Sequence, residues 1–325
     1  MDNCNRHLNY LRVSITDRCN LQCLYCVPRE LMSRLAQAEI LRYEEILRII
    51  RVGVSLGISK VRVTGGEPLV RKGVYEFLAK LTQTPGLNDV SLTTNGVFLQ
   101  ENLVKIKSAG ITRINVSLDT LNPQKFEQIT GRDVFSQVWQ GIEAARAMNF
   151  NPIKINVVAL NGVNEDEIID FARLTFAYPY HIRFIEYMPI GKSGIKTGPL
   201  LLAPEIKKRI RVLGKLTPVR KTSNDGPAQR YKLEGAQGEL GFIHALSRHF
   251  CEQCNRLRLT ASGQLRPCLL SSDYHEDLKG PLRSGCSDEE LAGLFLKAVQ
   301  NKPSDHNLAV HRPEPVCGQM SAIGG

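Results

Sequence analysis

Leu11-Arg12-Val13-Ser14-Ile15-Thr16-Asp17-Arg18-Cys19-Asn20-Leu21-Gln22-Cys23-Leu24-Tyr25-Cys26 is the stretch on which the reading of this chain turns. Leu11–Ile15 is a strand-like apolar run, and Cys19-x3-Cys23-x2-Cys26 follows it directly. Cysteine thiolates hold iron–sulfur clusters, and three local ligands leave one iron of a cubane cluster without a protein partner. Catalytic metal sites keep such an open position, whereas structural sites are closed. Tyr25, just before the third cysteine, can pack against a bound ligand. A zinc knuckle with a distant fourth ligand, or a four-cysteine electron-transfer cluster, would use similar spacings.

Outward from this segment the pattern repeats. Strand-like runs occur at Lys60–Thr64, Asp89–Thr93, Arg113–Leu118, Ile153–Ala159 and His181–Tyr187. Helical periodicity separates them. Tyr43–Leu56 places Ile46, Ile49, Ile50 and Val54 on one face, and Leu99–Ser108, Phe135–Met148 and Glu165–Phe176 read similarly. Gly57, Gly110 and Gly162 stand where helices stop or turns begin. Six strand–helix units predict a parallel sheet with right-handed crossovers. Eight would close a full barrel. Six suggest an open three-quarter barrel, and a flat doubly wound sheet fits the same pattern. In either case the carboxyl ends of the strands build the site. Thr64-Gly65-Gly66-Glu67, Thr93-Thr94-Asn95-Gly96, Ser117-Leu118-Asp119 and Glu186-Tyr187-Met188 lie there.

After Ile190 the rhythm breaks. Gly191–Pro199 and Thr222–Pro227 read as loops, and the rest alternates weakly. It carries a second group, Cys251-x2-Cys254-x13-Cys268, for which zinc is a serious rival, with His249, His275 or Cys286 as a fourth ligand. Between these cysteines Arg256 and Arg258 stand two apart, so on an extended segment they point to one side. Guanidinium forks suit phosphate oxygens. A metal centre beside paired arginines reads as a substrate site. Cys4, Cys286 and Cys317 stand apart, as packed or free thiols.

The chain has 325 residues, 42% of them apolar, enough for one large domain or two ordinary ones. No apolar run approaches the ~20 residues of a membrane span. The opening MDNCNRHLNY lacks an apolar signal region, which gives the expectation of a cytoplasmic protein without a membrane partner. The net charge of +10 suits a polyanionic partner. That partner could be nucleic acid, an anionic membrane or a phosphorylated small molecule, and the absence of any block of five consecutive Lys/Arg weakens the reading as a nucleic-acid-binding tail.

The spacing around Cys19, Cys23 and Cys26, with Gly65-Gly66-Glu67-Pro68 after the next strand, resembles the radical S-adenosylmethionine (SAM) superfamily. More closely, Leu11–Asn20, Phe250-Cys251-x2-Cys254-Asn255-Arg256-Leu257-Arg258-Leu259-Thr260 and the terminal Ile323-Gly324-Gly325 resemble the GTP 3′,8-cyclase (MoaA) family of molybdenum cofactor biosynthesis. The resemblance runs from Asp2 to Gly325, departing at Ala245 and Ser262, where the family more often has Pro and Asp.

The resemblance implies an α/β fold. The core is an incomplete (βα)6 three-quarter TIM-like barrel over 1–210, with a C-terminal region over 211–325 that binds a cluster and closes the open side. It implies that Cys19, Cys23 and Cys26 hold a SAM-binding [4Fe–4S] cluster, and that Cys251, Cys254 and Cys268 hold a second one facing the guanine of GTP. Tyr25, Gly66, Ser117 and Met188 would line the SAM pocket. Arg12, Arg62, Thr93, Lys154, Arg256, Leu257 and Arg258 would bind GTP, and Gly324-Gly325 would reach into the active site as catalytic residues. The implied activity is a lyase reaction: a radical derived from SAM removes hydrogen from C3′ of the ribose, and the carbon radical closes onto C8 of guanine. The implied partners are a reducing electron donor, the downstream cyclic pyranopterin monophosphate synthase, and a second copy of the chain in a homodimer. A radical SAM enzyme with a merely accessory second cluster, and a zinc- and nucleic-acid-binding protein, are the alternatives.

Overall fold

A computed structural model describes residues 1–26, 34–191, 200–220, 226–271, 274–306, 308 and 320–323. Six parallel strands form its centre: β1 (Tyr10–Ser14), β2 (Lys60–Thr64), β3 (Asp89–Thr94), β4 (Ile114–Ser117), β5 (Ile153–Ala159) and β6 (His181–Glu186). The helices between them are α1 (Tyr43–Ser55), α2 (Val74–Thr82), α3 (Leu99–Ser108), α4 (Pro123–Thr130), α5 (Phe135–Ala147) and α6 (Ile168–Ala177). The predicted helix at Glu165 begins as a 3₁₀ turn, Glu165–Glu167, before α6. Gly57, Gly110 and Gly162 all have positive φ, as the turns after helices and strands require.

The C-terminal third continues this sheet rather than forming a sheet of its own. Helix α7 (Ala203–Ile210) is followed by β7 (Thr217–Pro218), β8 (Gln229–Lys232) and β9 (Glu239–Ile243). Strand β9 pairs parallel with β6. At the other edge β10 (Arg256–Leu259) pairs parallel with β1, and β11 (Gln264–Arg266) and β12 (Glu276–Asp277) follow antiparallel. The twelve strands run β12-β11-β10-β1-β2-β3-β4-β5-β6-β9-β8-β7. Helices α8 (Lys279–Arg283), α9 (Asp288–Gln300) and α10 (Met320–Ile323) complete the described chain.

Alternation along each strand separates core from site. In β1 Leu11 and Val13 face the core, as do Val61 and Val63 in β2, Ile114 and Val116 in β4, and Leu257 and Leu259 in β10. Strand β5 shows the pattern most plainly: Ile153, Ile155, Val157 and Ala159 are buried, while Lys154, Asn156 and Val158 between them are half-buried. The second face carries polar residues because it lines a cavity that the six central strands and the C-terminal segments share. One cavity touched by all of them requires a sheet curled toward a barrel, not a flat one.

Candidate active site

The first cysteine group sits at the carboxyl end of β1, where Cys26 N donates to Cys23 O (2.9 Å) in a tight turn. All three thiols are free and half-buried. Burial above all pushes Cys19 up to about 12, and Cys23 is raised chiefly by its hydrogen bond with Cys26 and by burial. Such crowded neutral thiols would release their protons to solvent on ligating the iron of a cluster. Asn95, at the end of β3, lays its Nδ2 3.7 Å from Cys19 Sγ and bonds Asn20 Oδ1 at 2.7 Å.

Gly65-Gly66-Glu67 buttresses this loop. A Cβ on Gly66 would lie 2.4 Å from Arg18 O, and one on Gly65 2.6 Å from Thr16 O. Both glycines are therefore fixed by close approach to the cysteine loop, sealed by Gly66 N to Thr16 O (2.7 Å) and Glu67 N to Arg18 O (2.8 Å). Glu67 is 1% exposed. It accepts from Leu69 N, Thr94 Oγ1 and Asn95 N at 2.6–3.0 Å, and burial pushes it up to about 7. It thus couples the turn after β2 to the asparagine beside Cys19. Tyr25 donates to Asp119 Oδ2 (2.5 Å), and Asp119 Oδ1 accepts from Val158 N (2.8 Å). Burial raises Asp119 to about 6.

The second group lies on the loop leading into β10 and just beyond β11. Burial first, with the neighbouring Cys268, Asp305 and Cys254, raises Cys251 to about 11. Burial opposes ionisation of Cys254 too, but Lys302 and Arg256 outweigh it and lower its thiol. Three converging free thiols fit a cluster with one open iron, as in the first group. The zinc reading named three fourth ligands. His249 does come within ligand distance of Cys251, in a group with Asp305 and His306 whose donor atoms lie within 4.8 Å of one another. His275 and Cys286 are not part of that group. Its imidazole His306 is already engaged, Nδ1 accepting from Leu308 N and Nε2 bonding Ala245 O.

Between the two groups stretches a row of cations set by strand register. Arg12 lies beside Arg62 on one side and Arg258 on the other, and Arg258 is opposite Arg266. Like charges on neighbouring strands repel, so this row calls for an anion. Tyr10 stands within it: burial opposes ionisation, yet Arg62, Arg12, Arg256 and Lys60 bring the phenol down to about 8. Among the described residues, Tyr10 OH, Thr93 Oγ1 and Arg256 Nη2 are buried without a hydrogen-bond partner. Orphaned donors lining one cavity indicate an absent polar ligand.

Cys26, Cys251, Cys254 and Cys268 open onto this cavity together with Tyr25, Ser117, Met188, Arg12, Arg62, Thr93, Arg256 and Arg258. Gly66 stands behind the first loop. The Leu257 side chain is 1% exposed and belongs to the core, because alternation turns it away from its arginine neighbours. Lys154 sits one row away from the cations just described, between Asn115 and His181. Gly324 and Gly325 lie outside the described residues, as does Cys317. Arg183, Asn156, His306 and Met320 also line the cavity and were not singled out as site residues from sequence, and His249, named there only as a fourth zinc ligand, lines it too. Inward alternation on β5 and β6 was the available signal for Asn156 and Arg183.

A family model described as the radical SAM superfamily matches residues 13–175, and one described as molybdenum cofactor synthesis C matches residues 180–308. A GTP 3′,8-cyclase of Moorella thermoacetica is 48% identical over 324 residues, covering 100% of this chain and 99% of the relative. One of Heliobacterium modesticaldum is 47% identical over 322 residues, 98% of each. Among solved structures, Streptococcus suis SuiB bound to S-adenosylmethionine superposes with a TM-score of 0.63 at 14% identity, over 88% of this chain and 67% of that one. The structure of anSMEcpe with bound AdoMet gives 0.59 at 15%, over 91% and 81%. These structures share the fold, and the near-full-length identity to the cyclases is specific: the chain belongs to the GTP 3′,8-cyclase family of the radical SAM superfamily.

Proposed function

We infer that this chain converts GTP to (8S)-3′,8-cyclo-7,8-dihydroguanosine 5′-triphosphate, the first step of molybdenum cofactor biosynthesis. The observation that carries this reading is that two groups of free cysteines open onto one cavity lined by a row of arginines, the first through Cys26 and the second through Cys251, Cys254 and Cys268. Two [4Fe–4S] clusters and SAM are its cofactors. When bound and reduced, the first cluster with SAM supplies the radical that takes hydrogen from ribose C3′.

The chain's own residues position and enclose. Cys19, Cys23 and Cys26 hold the first cluster; Tyr25, Gly66, Ser117 and Met188 surround SAM. Cys251, Cys254 and Cys268 hold the second cluster at the guanine end. Arg12, Arg62, Thr93, Lys154, Arg256, Arg258 and the Leu257 backbone grip the nucleotide, the cations on its triphosphate. Fixing that polyanion holds C3′ in reach of the radical and keeps water out. Gly324-Gly325 takes part in catalysis, a role that the family resemblance implies; the preceding Ile323 is buried against Ile190, Leu269 and Leu270 with Met188 and Cys268 alongside. The core spans 1–210 and the second-cluster region 211–325. The protein works in the cytoplasm as a homodimer, takes electrons from a reducing donor and passes its product to cyclic pyranopterin monophosphate synthase. Among the described residues no helix is long and apolar enough to cross a membrane.

Arg256→Ala tests the triphosphate grip. Removing a buried charge-assisted contact costs about 2 kcal/mol, roughly thirtyfold in the GTP dissociation constant, while SAM binding stays within twofold. Equilibrium binding anaerobically checks both, and normal GTP affinity in this variant would remove Arg256 from the site.

Lys154 adds a pH signature. Burial first, then Arg183, Arg62, Arg113 and Lys60, lower its ammonium to about 6, so free protein at about pH 8 holds it mostly neutral. A triphosphate favours the charged form. GTP binding therefore takes up a proton at about pH 8 and tightens as pH falls toward 6. Calorimetry in two buffers of different ionisation enthalpy reads that uptake. Lys154→Met lowers it to the share contributed by the Tyr10 phenol, which an anion among the same cations also raises; an undiminished uptake in the variant would refute the role given to Lys154.

A further inference from the structure

Lys302 is a buried cation to which the reaction as outlined gives no part. It follows α9 and is 5% exposed. Its Nζ donates to Arg256 O at 2.9 Å and to Pro267 O at 2.5 Å. Arg256 lies two residues after Cys254, and Pro267 immediately precedes Cys268. Cys254 and Cys268, once ionised as ligands, are the groups of opposite charge that act on this ammonium, while burial above all, and Arg6, oppose its charge. One side chain therefore spans two of the three ligand segments.

The third segment is tied to the same point. Arg6 donates to Cys251 O at 2.8 Å, to Lys302 O at 3.1 Å and to Pro303 O at 2.9 Å. Asp2 fixes Arg6 through a buried ion pair of 2.6 Å. The hydrogen bonds to two carbonyls hold the ammonium in place but leave its charge unneutralised, and an uncompensated buried charge is costly. The thiolates supply the missing anion. Hydrogen bonds to cluster sulfurs and net local charge are what tune iron–sulfur potentials.

We propose that Lys302 is the counter-ion of the second cluster: its ammonium, held between the Cys254 and Cys268 segments, offsets the thiolate charge and stabilises the one-electron-reduced form. The proposal rests on Cys251, Cys254 and Cys268 holding that cluster. Its test uses the full-length chain with Cys19, Cys23 and Cys26 replaced by Ser, so that only the second cluster is present. The cluster is reconstituted anaerobically, iron is counted, and one-electron reduction by dithionite is followed potentiometrically by electron paramagnetic resonance.

Lys302→Met and Lys302→Gln are expected to load the same iron and to lose at least tenfold in the reduction equilibrium constant, a fall of about 59 mV. Lys302→Arg, which keeps charge and donors, restores most of it. A fully loaded cluster whose reduction equilibrium constant changes less than threefold in the neutral variants would overturn the proposal alone. If Lys302→Met fails to load, the comparison of Lys302→Gln with Lys302→Arg decides, and equal potentials there overturn it. A parent with Lys302 intact that holds no iron overturns the cysteine assignment, and the proposal with it.

Discussion

Cys23→Ser abolishes 5′-deoxyadenosine formation from SAM, with a loss of at least about 10³-fold in rate, equivalent to roughly 4 kcal/mol of barrier. Cys254→Ser gives a different result: SAM is still cleaved, but GTP no longer stimulates cleavage and no cyclised product forms. The two groups stand at opposite edges of one cavity, Cys26 beside Tyr25 and Ser117, Cys254 and Cys268 beside Arg256 and Arg258. Each serine therefore removes one cluster and spares the other. Anaerobic reconstitution shows the split as a fall from about eight irons per chain to about four in either variant. Loss of SAM cleavage in both variants to the same extent would contradict the separate roles.

Glu186→Ala unfolds the rim of the site. This carboxylate ends β6 and is 1% exposed. It accepts from Ala203 N at 2.9 Å, Leu246 N at 2.8 Å and Ser247 N at 2.9 Å, and also from the Ser247 hydroxyl. It thereby pins the start of α7 and the loop after β9 to the strand that precedes Met188. Alanine leaves three backbone donors and a hydroxyl without an acceptor, at a cost of about 3–5 kcal/mol. The melting midpoint falls by roughly 6–15 °C, and GTP affinity drops because Ala245 lines the cavity. Glu186→Gln retains the shape but faces amide hydrogens toward donors, and loses about half as much. Thermal and guanidinium melts measure both. An alanine variant within 1 kcal/mol of the parent would show that solvent replaces the carboxylate, and that the rim does not depend on it.

Much of the architecture is legible in residue order. The six central strands fall within one residue of their predicted bounds at every end because each sets β-branched and other apolar residues toward the core at alternate positions, between turn-forming segments. Helices α2 and α4 were not read. The nine residues of α2 follow a left-handed Gly73, and α4 opens on Asn122-Pro123, where Asn122 caps Lys125 N at 3.1 Å. The cap and the proline were present as signals, but a helix of eight residues shows too few turns for periodicity to register. The two-residue strands β7 and β12 carry no pattern at all.

The site divides in the same way. Cysteine spacing and the Arg256-Leu257-Arg258 alternation are local, so sequence alone determined the ligand candidates, the side to which both arginines point and the family. Only the tertiary structure decided what these groups face. Arg258 meets Arg12 across 246 residues of chain, and Arg266 and Arg183 join the cations through pairings that no local pattern contains. Arg6 and Lys302, isolated charges in the sequence, become the ties around the second cysteine group. The physical reason is that strand order and register are set by burial of the apolar face. The polar face then acquires its neighbours from elements remote in sequence, and the chemistry of this protein resides on that face.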